Sequence, residues 1–168
     1  DHEISLNAFE TLLDLVRRMA SFIVLDVPHQ WSPWVNEVLL DANEVLVIAY
    51  PDLVNLRDAQ AIFDRLMEKR NVDAPTRLIL NRVGMAKRTE LGPNDFKGPV
   101  TMTPTLNIPF EPNLYGMALN NGKSIVEENK RAKSTKLFDE LAKIVSGRVQ
   151  SEKQRPGRMV PNFLRSDK

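Results

Sequence analysis

Polar residues that could bind a ligand follow short apolar runs at four places along this chain. They are Asp26, Asp52, the pair Asn81 and Arg82, and Glu111. Each comes at or just past the end of a run typical of a buried β-strand. In a parallel sheet the carboxyl ends of the strands share one edge, beside helix amino termini that attract anions. The pattern therefore predicts a ligand crevice at that edge.

Asp26 follows the apolar run at 22–25, and Pro28 comes two residues later. A continuous apolar run without alternation is typical of a strand buried on both faces. A carboxylate after such a strand can hold the water shell of Mg²⁺ in nucleotide-hydrolysing proteins. It can equally cap a loop or begin a turn. The motif alone leaves both interpretations open.

Helices and strands alternate along the rest of the chain. The apolar periodicity predicts helices over 5–20, 35–40, 56–70 and 134–146, and strands over 22–26, 44–50, 77–83 and 106–108. The last helix is expected to bury Leu137, Phe138, Leu141, Ile144 and Val145. Strands that alternate with helices of this length predict right-handed βαβ units and a parallel sheet, an α/β fold.

Composition limits the class of protein. The 168 residues are 42% hydrophobic and 27% charged, which is typical of one globular domain. A net charge of +1 argues against a nucleic-acid footprint over the whole domain. There is no cysteine and no apolar run near the ~20 residues of a membrane span. A cytoplasmic protein fits these features best.

The triplet Gly122-Lys123-Ser124 resembles the end of a phosphate-binding loop. Such a loop needs a preceding buried strand and an upstream glycine, and this sequence has neither at that place. We therefore interpret the triplet as a turn. No His, Asp and Glu set has metal-ligand spacing, so a metal site built by protein ligands alone is not expected.

Five segments occur in the order seen in the MinD/ParA-type ATPases. They are F-I-V-L-D-V-P-H-Q-W, A-N-E-V-L-V-I, L-R-D-A, L-N-R-V-G and I-P-F-E-P. The D-x-P-H-Q-W and I-P-F-x-P forms most resemble the CpaE/TadZ branch, which helps place type IVb (Flp/Tad) pilus machinery at the cell pole. The resemblance covers residues 1–146 and leaves 147–168 as a basic, flexible tail.

The resemblance implies a three-layer P-loop NTPase-like (Rossmann-like) parallel sheet with helices on both faces, in a protein that dimerises around ATP and Mg²⁺. Asp26 then matches the aspartate that holds Mg²⁺ through water. Asn81 matches the residue that hydrogen-bonds adenine, which suits an amide because it offers a donor and an acceptor together. Arg82, Pro109, Phe110 and Glu111 complete the implied nucleotide-binding set. The simpler alternative for Asn81 is a turn residue, and no catalytic residue is assigned.

Two departures from the family pattern limit what is expected. Family members carry a glycine–lysine loop near their amino terminus, and this chain begins after it, so we interpret the chain as the carboxy-terminal part of such a protein. The strand that feeds the loop lies between those matching 22–26 and 44–49, so the sheet should be incomplete at its N-terminal side. In addition, His29 and Gln30 occupy the region where related proteins have a glycine. ATP turnover is therefore not expected from this chain alone.

Three functional hypotheses remain. The first is an ATP-binding localisation protein that forms an ATP-dependent homodimer and recruits pilus or secretion machinery at the cell pole or inner-membrane surface, with no nucleic-acid partner. The second is a scaffold that keeps the fold without turnover. The third is an unrelated flavodoxin-like binding domain.

Smaller features also leave alternatives open. Trp31 and Trp34 could pack over their own loop or form a partner surface, and His29 could be a proton shuttle or an ordinary loop residue. The basic tail could be solvated or could contact anionic lipid or an acidic partner.

Overall fold

A computed structural model describes residues 5–28, 31–70, 75–97 and 103–148. These residues form, in chain order, α1 (Leu6–Met19), α2 (Pro33–Asp41), β1 (Val45–Ala49), α3 (Leu53–Lys69), β2 (Thr76–Val83), β3 (Pro104–Pro109), α4 (Pro112–Asn120), α5 (Ile125–Glu128) and α6 (Lys133–Val145). The chain divides into two compact units, Asp1–Glu111 and Pro112–Lys168. The first unit holds the whole sheet, and the second holds α4 to α6. The predicted tail boundary at residue 147 remains a prediction, because residues 149–168 lie outside the described part.

The three strands form one parallel sheet in the order β1-β2-β3. β2 is the central strand, and its residues Leu78, Ile79 and Leu80 are at most 1% exposed. Successive residues of a strand point to opposite faces, so both faces of β2 are covered here, and this explains why its apolar run does not alternate with polar residues. The predicted α/β fold with a parallel sheet is confirmed.

The core of the first unit lies between α3 and one face of the sheet. α3 contributes Ala59, Phe63 and Leu66, which pack with alternate residues of β1 and with β2. Phe96 is fully buried in the same cluster, although it lies in the proline- and glycine-rich region after β2. Residues 93–96 form hydrogen-bonded turns.

The prediction of a buried strand at 22–26 is wrong for the described residues. The segment has no strand partner, and Phe22 and Val24 are 66% and 93% exposed. Strand structure requires backbone pairing with a neighbour, so an apolar run without one gains neither hydrogen bonds nor burial. Among the described residues only β2 pairs with β1, so no second strand joins β1 to this segment.

The second unit differs from the sequence prediction in detail. α6 forms where expected, but its buried residues are Ser134 and Thr135. None of the five apolar residues expected in its core, Leu137, Phe138, Leu141, Ile144 and Val145, is fully buried. The Thr135 hydroxyl donates to the carbonyl of Asn129, 2.8 Å away, which anchors the first turn of α6 to the preceding chain.

The Gly122-Lys123-Ser124 triplet is a turn, as predicted. Gly122 has φ +60° and follows α4, and the Lys123 N–H donates back to the Ala118 carbonyl at 2.9 Å. Ser124 begins α5 and forms a capping box with Glu127. The triplet therefore ends one helix and begins another.

Both tryptophans make contacts within their own unit. The rings of Trp34 and Phe9 lie 5.1 Å apart and join α1 to α2. The Arg65 guanidinium of α3 lies 4.2 Å from the ring centre of Trp31. These contacts support the packing interpretation over the partner surface.

Arg70 links the end of α3 to the end of α2. Its guanidinium donates to the carbonyl of Leu39 and, at 2.8 Å, to the carbonyl of Ala42. Both acceptors belong to the last turn and cap of α2, where carbonyl groups have no partner within the helix. A planar guanidinium can satisfy two such carbonyls at once.

We expect Arg70→Ala to lower the free energy of unfolding by about 2 kcal/mol, because charged hydrogen bonds are lost and half-buried carbonyls lose their donor. Arg70→Lys should recover only part of this, since an ammonium is a point donor. Urea unfolding measures the effect. Arg57→Ala, an exposed arginine of the same helix, is the control and should change stability by no more than about 0.5 kcal/mol. Equal losses in the Arg70 and Arg57 variants would contradict the prediction.

Candidate nucleotide-binding site

The carboxyl end of β2 departs from regular strand geometry. The pairing of β2 with β3 is irregular between Leu80 and Val83. Arg82 has φ +56°, a left-handed conformation that residues other than glycine rarely adopt. The Asn81 side-chain oxygen accepts the Arg82 N–H at 2.8 Å and so stabilises this turn of the backbone. The side-chain nitrogen of Asn81 donates to no protein group in the described part of the chain.

A tight loop follows β2. Gly84 has φ +91°, which glycine adopts without strain. The Glu90 carboxylate accepts the N–H of Gly84 at 2.8 Å with one oxygen and that of Ala86 at 2.7 Å with the other. The loop therefore turns back on itself and holds Met85 between its two anchored neighbours.

A cleft of about 270 Å³ lies between the ends of β1 and β2. It is lined by Ile48, Ala49, Tyr50, Asn81, Arg82 and Met85. Small-molecule sites usually have about 300–1,000 Å³ and combine apolar walls with a few polar groups. This cleft has both kinds of lining and is slightly smaller than that size range. Its size suits an aromatic base better than a whole nucleotide.

The other predicted base-contacting residues lie at the same edge of the sheet. Pro109 pairs with Val83, and the Phe110 N–H donates to the Val83 carbonyl at 2.9 Å. Phe110 is 41% exposed, and Glu111 follows it, half-buried. The structure therefore brings the segment at 109–111 next to the strand end that carries Asn81 and Arg82.

The junction between β1 and α3 forms the opposite border of the cleft. Asp52 caps α3 by accepting the N–H of Asn55 at 2.7 Å, and the Asn55 side-chain oxygen accepts the N–H of Tyr50 at 3.2 Å. The sequence favoured a helix start at Leu56 with Asn55 as the cap, so this boundary was wrong by three residues. Hydrogen bonds from Asn55 to the carboxylate lower the pKa of Asp52.

Asp26 is exposed, and no hydrogen bond, ion pair or strand pairing of the described residues joins it to the cleft. Across those residues there is also no group of three or more His, Asp or Glu side chains that could hold a metal. The assignment of Asp26 to Mg²⁺ therefore remains a prediction. The neighbouring His29 and Gln30 lie outside the described residues.

Sequence reasoning missed Tyr50 and Met85 as lining residues. Tyr50 stands directly before Pro51 at the end of β1, so its position past a strand end could have indicated it. Met85 lies beyond β2, and only the folded loop brings it to the cleft.

Solved structures of ParA and MinD ATPases are similar to this chain. A ParA family ATPase from Chlorobium tepidum superposes with a TM-score of 0.71 at 17% identity, over 83% of this chain and 56% of that one. The Aquifex aeolicus cell division protein MinD superposes with a TM-score of 0.69 at 22% identity, over 88% of this chain and 63% of that one. The Pyrococcus furiosus cell division ATPase MinD superposes with a TM-score of 0.68 at 19% identity, over 85% of this chain and 59% of that one. This chain has the fold of the ParA and MinD ATPases.

The match extends over 56–63% of the length of these three proteins. No protein-family model matches the sequence, and no curated protein does. No helix in the described part of the chain is long and apolar enough to cross a membrane.

Asp52 gives a test of the junction beside the cleft. We expect Asp52→Ala to lower the free energy of unfolding by about 1 kcal/mol, the usual loss when a helix cap is removed. Asp52→Asn keeps the capping oxygen and should lose only a fraction of this free energy.

The same residue should make stability depend on pH. The pKa of Asp52 lies below its ordinary value of 3.8 in the folded state, so its contribution is present above that value and is lost as pH falls through the lower, folded pKa. Between pH 7 and about pH 2, urea unfolding should therefore show a larger loss for the native protein than for Asp52→Asn. Asp64→Asn, on the exposed side of α3, should lose as much stability over this pH range as the native protein does.

Proposed function

We propose that this chain is the base-binding part of a MinD/ParA-type protein in which bound ATP acts as a switch for dimerisation and recruitment. One observation carries the proposal. Asn81 lies in a cleft of suitable size for a base, with an amide nitrogen that donates to no described protein group. An amide N–H and the remaining lone pair of its oxygen match the acceptor and donor on an adenine edge.

The surroundings of Asn81 support the same ligand. Met85 and Ile48 offer apolar surface for the faces of a base, and Pro109 and Phe110 lie at the adjoining strand end. Arg82 lines the cleft and is exposed, so its guanidinium is available to attract a phosphate. The donor set therefore fits a purine nucleotide.

Mg²⁺ would complete the nucleotide site. Asp26 has an exposed carboxylate, which is the chemistry needed to hold a metal-bound water. A single carboxylate that acts through water does not require a cluster of protein ligands. When bound, Mg²⁺ supplies charge neutralisation for the phosphates.

The phosphates themselves need a loop that this sequence does not contain. We propose that a glycine–lysine loop and the strand before it come from outside the matched region, and that this strand lies between β1 and the segment at 22–26. In the described part of the chain β1 is paired on one edge only, and Val24 of the apolar run is exposed; both observations support this arrangement. As given, the chain should bind a base weakly and should not hydrolyse ATP.

A longer form that carries this strand should bury the apolar run at 22–25. In that form we expect the β1 amides to exchange hydrogen more slowly than in the present chain, because the strand gains a second partner. Hydrogen exchange with mass spectrometry or NMR measures this. β2 is already paired on both sides and is the internal control. An equal slowing of hydrogen exchange in β1 and β2 would therefore argue against a strand inserted beside β1.

Nucleotide titration of the longer form tests the base site. Asn81→Ala should raise the Kd for ATP about five- to tenfold, as expected for the loss of one hydrogen bond to the base. Asn107→Ala, an exposed asparagine of β3, is the matched control and should leave the Kd unchanged. Asp26→Ala should remove the strengthening of ATP binding by Mg²⁺, whereas Asp64→Ala should keep it. ATP binding that is indifferent to Asn81 would refute the proposal.

The proposed cellular role is the placement of type IVb (Flp/Tad) pilus machinery at the cell pole or inner-membrane surface, with ATP-dependent homodimers and secretion proteins as partners. It is supported by the D-x-P-H-Q-W and I-P-F-x-P motifs. Contact of the basic tail with anionic lipid belongs to the same proposal.

A scaffold without ATP turnover is the second candidate. His29 and Gln30 replace the glycine that could approach the γ-phosphate, and this observation favours it. The residues upstream of Asp1 separate the two candidates, because a degenerate loop there favours the scaffold and an intact one favours the switch.

A further inference from the structure

The loop after β2 depends on one carboxylate for its shape. The two oxygens of Glu90 accept the N–H groups of residues 84 and 86, which flank Met85 on both sides. The Met85 N–H itself makes only a longer bond of 3.2 Å to the Arg82 carbonyl. Bonds to a charged acceptor are about twice as strong as neutral ones, so Glu90 is the main constraint on this turn.

Met85 brings that constraint into the cleft. Its side chain lines the same cavity as Asn81 and Arg82 and is 47% exposed. A thioether is flexible and polarisable and adapts to an aromatic surface, and the position of the Met85 backbone sets the region that this side chain can reach. Gly84 adds no side chain to the turn, and no atom lies within 4 Å of the place where one would begin. The backbone bonds to Glu90 therefore limit how far Met85 can move.

We propose that Glu90 is a positioning residue for purine recognition, because it anchors the backbone on both sides of Met85 and so holds that side chain in the cleft beside Asn81. Glu90 does not line the cleft and acts through Met85. The inference rests on the proposed nucleotide site and adds a determinant of base preference to it. A purine has more surface to place against Met85 than a pyrimidine has. The position of Met85 should therefore affect how strongly the site prefers purines over pyrimidines.

The first experiment compares Mg-ATP and Mg-CTP binding to the full-length protein by calorimetry. We expect Glu90→Ala to reduce the preference for ATP over CTP about tenfold, while the Kd for CTP changes by less than about twofold. Glu90→Gln keeps one acceptor oxygen and should fall between the native protein and Glu90→Ala. Glu68→Gln, an exposed glutamate of α3, is the matched control and should leave both affinities unchanged.

A double-mutant cycle shows whether Glu90 acts through Met85. In a Met85→Ala background, Glu90→Ala should have little further effect on the ATP preference, because the side chain that it positions is gone. A purely structural role would weaken ATP and CTP binding equally and would persist in that background. Either of those results overturns the proposal.

Hydrogen exchange gives a readout that needs no nucleotide. Glu90→Ala should speed the exchange of the Gly84 and Ala86 amides while the amides of β2 keep their protection. If Glu90→Ala does not fold, Glu90→Gln carries the same tests. A native protein that shows no preference for ATP refutes the proposed function as well. A native preference that Glu90→Ala and Glu90→Gln both keep refutes only the role of Glu90.

Discussion

The pairing of β2 with a parallel strand on each side determines the rest of the first unit. It satisfies the backbone of β2 on both edges, and this allows Leu78, Ile79 and Leu80 to be almost completely buried. Because all three strands run in one direction, their carboxyl ends meet at a single edge. The cleft, the segment at 109–111 and the junction with α3 lie at that edge for this reason.

Apolar periodicity in the sequence predicts where a helix or a strand is able to form. β1, β2 and the helices α1 to α3 and α6 are all indicated by apolar periodicity and capping residues. The apolar run at 22–25 has an equally strong strand pattern but forms no ladder, because pairing depends on a partner and not on the run itself. The burial of α6 was overestimated for a related reason, since an apolar stripe indicates which face of a helix can be covered but not how completely it is covered.

The site was predictable where it coincides with strand ends. Asn81, Arg82 and Glu111 follow from the rule that parallel strands share an edge, and the structure places them at or just past the ends of the adjoining strands β2 and β3. Pro109 is implied only by the family resemblance. Met85 and Glu90 could not be found in this way, because their positions depend on hydrogen bonds that close an irregular loop. Such bonds join a side chain to backbone groups four and six residues away and leave no periodic pattern. The Asp26 assignment depends on the predicted strand at 22–26 as well as on the family resemblance, and its outcome depends on what pairs with the chain before it.

The irregular pairing between Leu80 and Val83 also affects where the chain length can change at this edge of the sheet. Before it, β2 pairs with β1 in one unbroken register from Thr76 to Leu80, and a shift by one residue would turn its apolar side chains to the wrong face. After it, Val83 and Pro109 form the last pair of the ladder. A bulge can take up one extra residue by local bending, so a change of chain length at 81–82 would leave the core undisturbed. The polar residues of the cleft thus lie where insertions and deletions are most easily accommodated, and related proteins could alter their ligand here without rebuilding the fold.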